Sequence, residues 1–165
     1  MLQIRKQGPL DGGAGHPEPT GGLRSIMTIS ASSAVGVTAI VTAYQRVDQT
    51  LDTIRRILEC VPPPREVLVH VDGDQRACAV AIQQCFPAIK VFVSEQNVGP
   101  GGGRNKLVAA ATTDIVASFD DDSYPIDSDY FAILIQLFTR FAAASLVCAE
   151  VFERGQLIEP KAECL

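Results

Sequence analysis

The chain has 165 residues, 47% of them hydrophobic and 20% charged, with a formal net charge of -5. Such a composition suits a single globular domain with a real core and excludes a wholly disordered chain. No basic cluster occurs and the aromatics are seven Phe, three Tyr and no Trp, which argues against a nucleic-acid partner.

Gly8 to Gly22 holds six glycines and three prolines. That composition cannot bury apolar surface, so residues 1–34 are expected to be a disordered Gly/Pro-rich tail. Translation could start at Met1 or at Met27. Ordered structure is expected from about Val35. Val37–Ala43 is a near-continuous β-branched run, the pattern of a buried strand. Asp48 to Cys60 carries Leu51, Ile54, Ile57 and Leu58 at helical spacing, and Pro62-Pro63-Pro64 ends that helix.

Glu66–Val71 predicts a second strand and Arg76–Cys85 a helix; Ile89–Ser94 predicts a third strand. Gly99–Gly103 reads as a glycine-rich loop, followed by a helix from Arg104 to about Thr112. Asp114–Phe119 predicts a fourth strand. A long helix should start with Asp127 or Ser128 as its cap and run through Ala144. Its Phe131, Leu134, Leu137, Phe138, Phe141 stripe is core packing. Leu146 to Phe152 predicts a fifth strand, within a domain spanning 35–154, and 155–165 is left as a C-terminal tail.

Alternating strands and helices, with strands apolar on both faces, predict an α/β fold: a mainly parallel sheet flanked by helices. The five cysteines (Cys60, Cys78, Cys85, Cys148, Cys164) form no C-x-x-C pair. They suggest neither a disulfide framework nor zinc, and fit a reducing, cytoplasmic compartment. Cys78 and Cys85 should share a helix face as packing residues. No run of eighteen apolar residues occurs, so no membrane span is expected. The Ser25–Val41 run is too rich in Ser and Thr for a cleavable signal.

In such sheets ligands bind outside the carboxyl ends of the strands. Polar residues fall there after each of four predicted strands. Three adjacent aspartates, Asp120-Asp121-Asp122, repel one another unless a hard divalent cation turns their oxygens into ligands. On an extended segment Asp120 and Asp122 would point the same way and could share one ion. The alternative is a solvated acidic turn closing the strand, with Asp122-Ser123 capping the next segment. Asn97-Val98-Gly99-Pro100-Gly101-Gly102-Gly103-Arg104-Asn105 is neither a Walker A loop nor a dinucleotide fingerprint. A helix start just after it would suit a phosphate, with Arg104 adding a charge-assisted bond. Asp72 could accept hydrogen bonds from a base or ribose, or simply form a turn before Gly73. His70, inside its strand, reads as a core histidine. Tyr44 and Arg46 could hold a base by stacking and hydrogen bonding.

Taken together, Ala43-Tyr44-Gln45-Arg46, Val71-Asp72-Gly73-Asp74, Asn97-Val98-Gly99 with Arg104-Asn105, and Phe119-Asp120-Asp121-Asp122 resemble family 2 glycosyltransferases of the GT-A fold. The resemblance covers about Val35 to Phe152. It implies a nucleotide-diphosphate sugar donor, transfer to an acceptor with inversion, and Mg²⁺ or Mn²⁺. Tyr44, Arg46 and Asp72 would lie around base and ribose; Asn97, Gly99 and Arg104 would line the diphosphate. Asp120 and Asp122 would match the D-x-D metal pair, and Asp121 would approach the ribose or sugar. The family's acceptor-binding half, with its general base, would lie beyond Leu165, so the chain reads as a truncated donor-binding half. A sheet cut there would expose an edge and an apolar face, predicting self-association or a complementing chain. Two other readings stay open: a non-catalytic nucleotide-sugar-binding module, and a metal-dependent phosphotransfer domain whose nucleophilic Asp, Lys and Ser/Thr set is not found.

Overall fold

The structure, a computed structural model, describes residues 2–5 and 36–158. Eight strands and four helices occur among them: β1 (Leu2–Arg5), β2 (Val37–Ala43), α1 (Val47–Leu58), β3 (Glu66–Val71), α2 (Arg76–Cys85), β4 (Lys90–Val93), α3 (Gly99–Ala110), β5 (Ile115–Asp120), α4 (Tyr130–Arg140), β6 (Leu146–Cys148), β7 (Val151–Glu153) and β8 (Gln156–Ile158). The main sheet has the order β4-β3-β2-β5-β1-β6. Strands β4, β3, β2 and β5 run parallel, and β1 is antiparallel to both of its neighbours. Leu2–Arg5, placed in the tail by composition, is thus a strand of the sheet. The rest of the tail (residue 1 and 6–34), residue 35 and residues 159–165 lie outside the described residues.

The parallel strands are apolar on both faces because helices cover both. On one face Val37, Ala39, Val41, Val67, Val69, Ile115, Ala117 and Phe119 form a core with α1, α2 and α4. On the other, Ile40, Leu68 and Val116 pack against Leu107 and Ala111, contributed by α3 and its end. Phe119, Phe131 and Phe138 are fully buried; each such side chain contributes about 1.5–3 kcal/mol through burial. These rings fix α4 against the end of β5 that carries the aspartates.

Most predicted boundaries shift by only one or two residues; three elements depart further, each for a local reason. Gly99–Gly103 is not a loop: it is the first turn of α3, with Pro100 at its start, where proline's missing N–H costs nothing. Helix α4 begins at Tyr130, because the Ser128 carbonyl is already taken by the Val61 amide at 2.7 Å. It ends at Arg140, and Phe141 beyond it is 52% exposed, so no buried face sustains another turn. The fifth predicted strand divides into β6 and a separate β7–β8 hairpin. Arg154 and Gly155 both have positive φ, the geometry a two-residue hairpin turn requires. Cys78 is buried but Cys85, the last residue of α2, is exposed.

Candidate functional site

The carboxyl ends of β2, β3 and β5 and the amino end of α3 enclose a cleft of about 300 Å³. Thr42, Ala43, Tyr44 and Arg46 line it from the end of β2, and His70 and Asp72 from the end of β3. Asn97, Gly99 and Pro100 form the α3 wall, and Asp120, Asp121 and Asp122 the β5 wall. Arg104 reaches the same place through its ion pair with Asp120. The structure therefore brings every sequence-selected site residue to one edge of the sheet.

Asp72 is 6% exposed and both its oxygens are occupied. Oδ1 accepts from the Val98 amide at 2.9 Å and Oδ2 from the Gly99 amide at 2.9 Å. The Asn97 side-chain oxygen also accepts from the Gly99 amide, at 2.9 Å. A carboxylate from a different element thus takes the Val98 and Gly99 amides at the amino end of α3 and complements its positive dipole end. Gly99 sits at φ 71°, where only glycine is free of strain. Tyr44 lies across Gly73: a Cβ there would stand 3.2 Å from Cε2 of the Tyr44 ring.

The three aspartates do not share one environment. Strand β5 ends at Asp120, so Asp121 and Asp122 leave the extended geometry that would aim Asp120 and Asp122 alike. Asp120 pairs with Arg104 and accepts from Thr42 Oγ1 at 3.4 Å. Arg46 spans the other two, 2.8 Å from Asp121 and 2.6 Å from Asp122. Asp121 is buried, and burial pushes its carboxyl pKa up against the Tyr44 amide and Arg46, which hold it down. Hydrogen bonding to Asp122, then the charges of Asp121 and Asp122, hold the Arg46 guanidinium still more firmly protonated.

Among the described residues no group of three or more His, Cys, Asp or Glu side chains is placed to hold a metal ion. Asp120 and Asp122 are about half exposed, and their hard oxygens suit Mg²⁺ or Mn²⁺ if a ligand and water complete the shell. An ion there would have to share those carboxylates with Arg104 and Arg46.

His70, Thr42 and Pro100 were not singled out for the site by sequence, yet all three line it. His70 is 1% exposed; its Nε2 is 2.8 Å from Ser94 Oγ, which Lys106 Nζ contacts at 2.5 Å. Its position two residues before Asp72, on a strand facing α3, was the available signal. No helix among the described residues is long and apolar enough to cross a membrane.

A model of the family described as glycosyl transferase family 2 matches residues 38–162. Among solved structures, the chain is similar to a mannosyltransferase from Pyrobaculum calidifontis, determined with GDP-Man and Mn²⁺. The TM-score is 0.58 and the identity 22%, over 65% of this chain and 33% of that one. It is also similar to a 4-diphosphocytidyl-2C-methyl-D-erythritol synthase, with TM-score 0.50 and 19% identity over 76% of this chain and 67% of that one. TarS of S. aureus aligns with TM-score 0.47 and 20% identity, over 65% of this chain and 20% of that one. At these identities the first two likenesses describe the fold. The chain spans about a third of the length of the mannosyltransferase. A search of curated proteins returned no match.

Proposed function

The chain belongs to glycosyl transferase family 2, and from that premise we propose that its cleft binds a nucleotide-diphosphate sugar together with Mg²⁺ or Mn²⁺, for transfer of the sugar to an acceptor with inversion. One observation carries the reading: an exposed tyrosine ring, an arginine and three carboxylates meet in a single cleft at the carboxyl edge of a parallel sheet. The solved mannosyltransferase complex with GDP-Man and Mn²⁺ supports this donor class and ion.

The residues divide the work by their chemistry. Tyr44, exposed beside Gly73, offers a ring face to the base. Asp72 holds the amino end of α3 in place through the Val98 and Gly99 amides, and Asn97 and Gly99 line the diphosphate side of the cleft beside it. Arg104 and Arg46 are the cations within reach of a diphosphate. Asp120 and Asp122 would hold the ion, and Asp121 would face the ribose or sugar. When bound, the ion neutralises charge that develops on the departing nucleoside diphosphate.

Inverting transfer also needs a group that deprotonates the acceptor. Glu150 and Glu153 are exposed and outside the cleft lining. We assign that base to residues other than those described, in this polypeptide or in a complementing chain. The same observation favours a second reading, a non-catalytic donor-binding module. Free cysteines at Cys60, Cys78, Cys85 and Cys148 and a nucleotide-sugar donor fit a cytoplasmic site of action.

Calorimetric titration with UDP-, GDP- and dTDP-sugars, with Mn²⁺ or Mg²⁺ and again with chelator, tests the proposal. Metal-dependent binding of at least one donor is expected; no binding of any would overturn it. Donor hydrolysis or sugar transfer by the purified chain would eliminate the module reading.

A further inference from the structure

Beneath the amino half of α3 lies a polar relay, buried at His70 and Ser94 and closed by the exposed Lys106, that donor binding as described does not use. His70 projects from β3 toward α3 and sits against Gly103 so closely that a Cβ there would stand 2.6 Å from its Nδ1. Its Nε2 meets Ser94 Oγ at 2.8 Å, just past the end of β4, and Ser94 is itself 6% exposed. Lys106, one helical turn beyond Gly103 on α3, donates to the same hydroxyl at 2.5 Å. The relay therefore joins β3, β4 and α3, and its His70 end forms part of the cleft wall.

An ammonium can only donate, so Ser94 Oγ accepts from Lys106, and assigning the hydroxyl's own proton to the His70 Nε2 contact completes the network. This network assignment makes Nε2 the acceptor and puts the ring proton on Nδ1. Protonating His70 would place a second N–H donor on Nε2. The hydroxyl would then face two cations, Lys106 and the imidazolium, with its own proton unplaced. Burial lowers the imidazole pKa; the Asp72 charge opposes this and the Lys106 charge adds to it. Asp72 has both oxygens committed to Val98 and Gly99. Strand β2 and the residue after β4 present the uncharged Thr42 and Ser94 here, and Arg104 on α3 is paired with Asp120.

We propose that His70 is a positioning residue for the cleft, seating the amino end of α3 through Gly103, Ser94 and Lys106 while its imidazole is neutral. Charging it loosens α3, whose amino end lines the cleft at Asn97, Gly99 and Pro100, and binding weakens. The proposal rests on the donor-binding reading of the cleft, so the test has one arm that needs no ligand.

In that arm the His70 imidazole is followed by NMR against pH, together with hydrogen exchange of the Val98 and Gly99 amides. A titration below the ordinary histidine value of about 6.5, with amide protection falling as the ring charges, is expected. An ordinary titration, or protection unchanged by it, would overturn the proposal. In the second arm UDP-, GDP- and dTDP-sugars, whose diphosphate diesters do not titrate here, are bound with Mn²⁺ between about pH 5.5 and 7.5. Affinity should fall about fivefold or more toward the acid end. In His70→Gln, which keeps an acceptor near Nε2 but cannot titrate, affinity should be weaker yet independent of pH. A His70→Gln profile as steep as the parent's would sink the proposal. If no donor binds at any pH, the donor-binding reading fails, while the NMR arm still decides the role of His70.

Discussion

The Asp72 carboxylate accepts a hydrogen bond from the Gly99 amide at 2.9 Å, joining the end of β3 to the first residue of α3. With its other oxygen on Val98, Asp72 acts as a cap supplied from a different element. Removing such a cap costs about 0.5–2 kcal/mol. Asp72→Ala should lower stability by about that amount in urea denaturation and raise the donor Kd for every base alike. An effect confined to one donor base, with stability unchanged, would instead make Asp72 a base-reading residue.

The glycines of α3 serve unequal purposes, and alanine substitutions separate them. A Cβ at Gly101 meets nothing within 4 Å, whereas one at Gly103 would collide with His70 Nδ1 at 2.6 Å and approach Thr42 Cγ2 to 3.2 Å. Gly101→Ala should raise stability by up to about 1 kcal/mol through helix propensity alone. Gly103→Ala should lower it by about 1–3 kcal/mol, because buried groups must shift. Thermal melting of the two variants checks the contrast. Equal effects would place the helix elsewhere on the sheet.

These contacts also show what sequence could and could not convey. Glu66–Val71 and Arg76–Cys85 match their predicted bounds to the residue; for the strand, burial on both faces leaves a continuous apolar signature. Four strand ends carrying polar residues located the cleft. The identity of the cap could not be read, because Asp72 and Gly99 meet only through tertiary structure. Glycine-rich composition suggested a loop at Gly99–Gly103; the tertiary cap and the close approach to His70 make a helix of it. The Asp120–Asp122 pattern suggested a shared ion through strand alternation. Yet β5 stops at Asp120, and Arg46, distant in sequence, draws Asp121 and Asp122 together instead. The β7–β8 hairpin did carry a local signal, Arg154-Gly155, hidden within what looked like one strand and a tail.

Stability should decline on the acid side in two separate stages. Burial keeps the folded-state pKa of His70 below that of the unfolded chain. The unfolded state therefore takes up a proton first as pH falls through about 6.5, and stability present above that value is lost below it. Glu66 lies lower: burial alone would raise its pKa, but Thr112 and Thr38 donors and Lys90 bring it below the usual value. Its contribution is present above about pH 4.5 and is lost as pH falls through the depressed folded value. Midpoints of urea unfolding measured across this range should show both limbs. His70→Gln should remove the upper limb and leave the lower one, which also separates His70 from the second histidine, His16. An upper limb that persists in the variant belongs to another group.

The arginine–aspartate pairs predict how the cation behaves. Arg46 bridges Asp121 and Asp122, and Arg104 holds Asp120. An ion entering alone must compete with guanidinium groups for both carboxylates, so Mn²⁺ without donor should bind weakly, with Kd about 1 mM or above. A nucleotide-diphosphate sugar supplies further oxygens to the ion and an alternative anion for the arginines. Donor and ion should therefore bind with positive coupling of about tenfold or more, equal in both directions by linkage. Asp122→Asn should abolish the coupling while leaving residual, metal-independent donor binding through Arg104 and the amino end of α3. Arg46→Met should act oppositely on the ion alone, tightening Mn²⁺ by freeing Asp122, while weakening the donor. Manganese paramagnetic resonance with and without donor measures each case. Equal Mn²⁺ affinity in the parent, Asp122→Asn and Arg46→Met chains would show that the ion does not bind at these carboxylates.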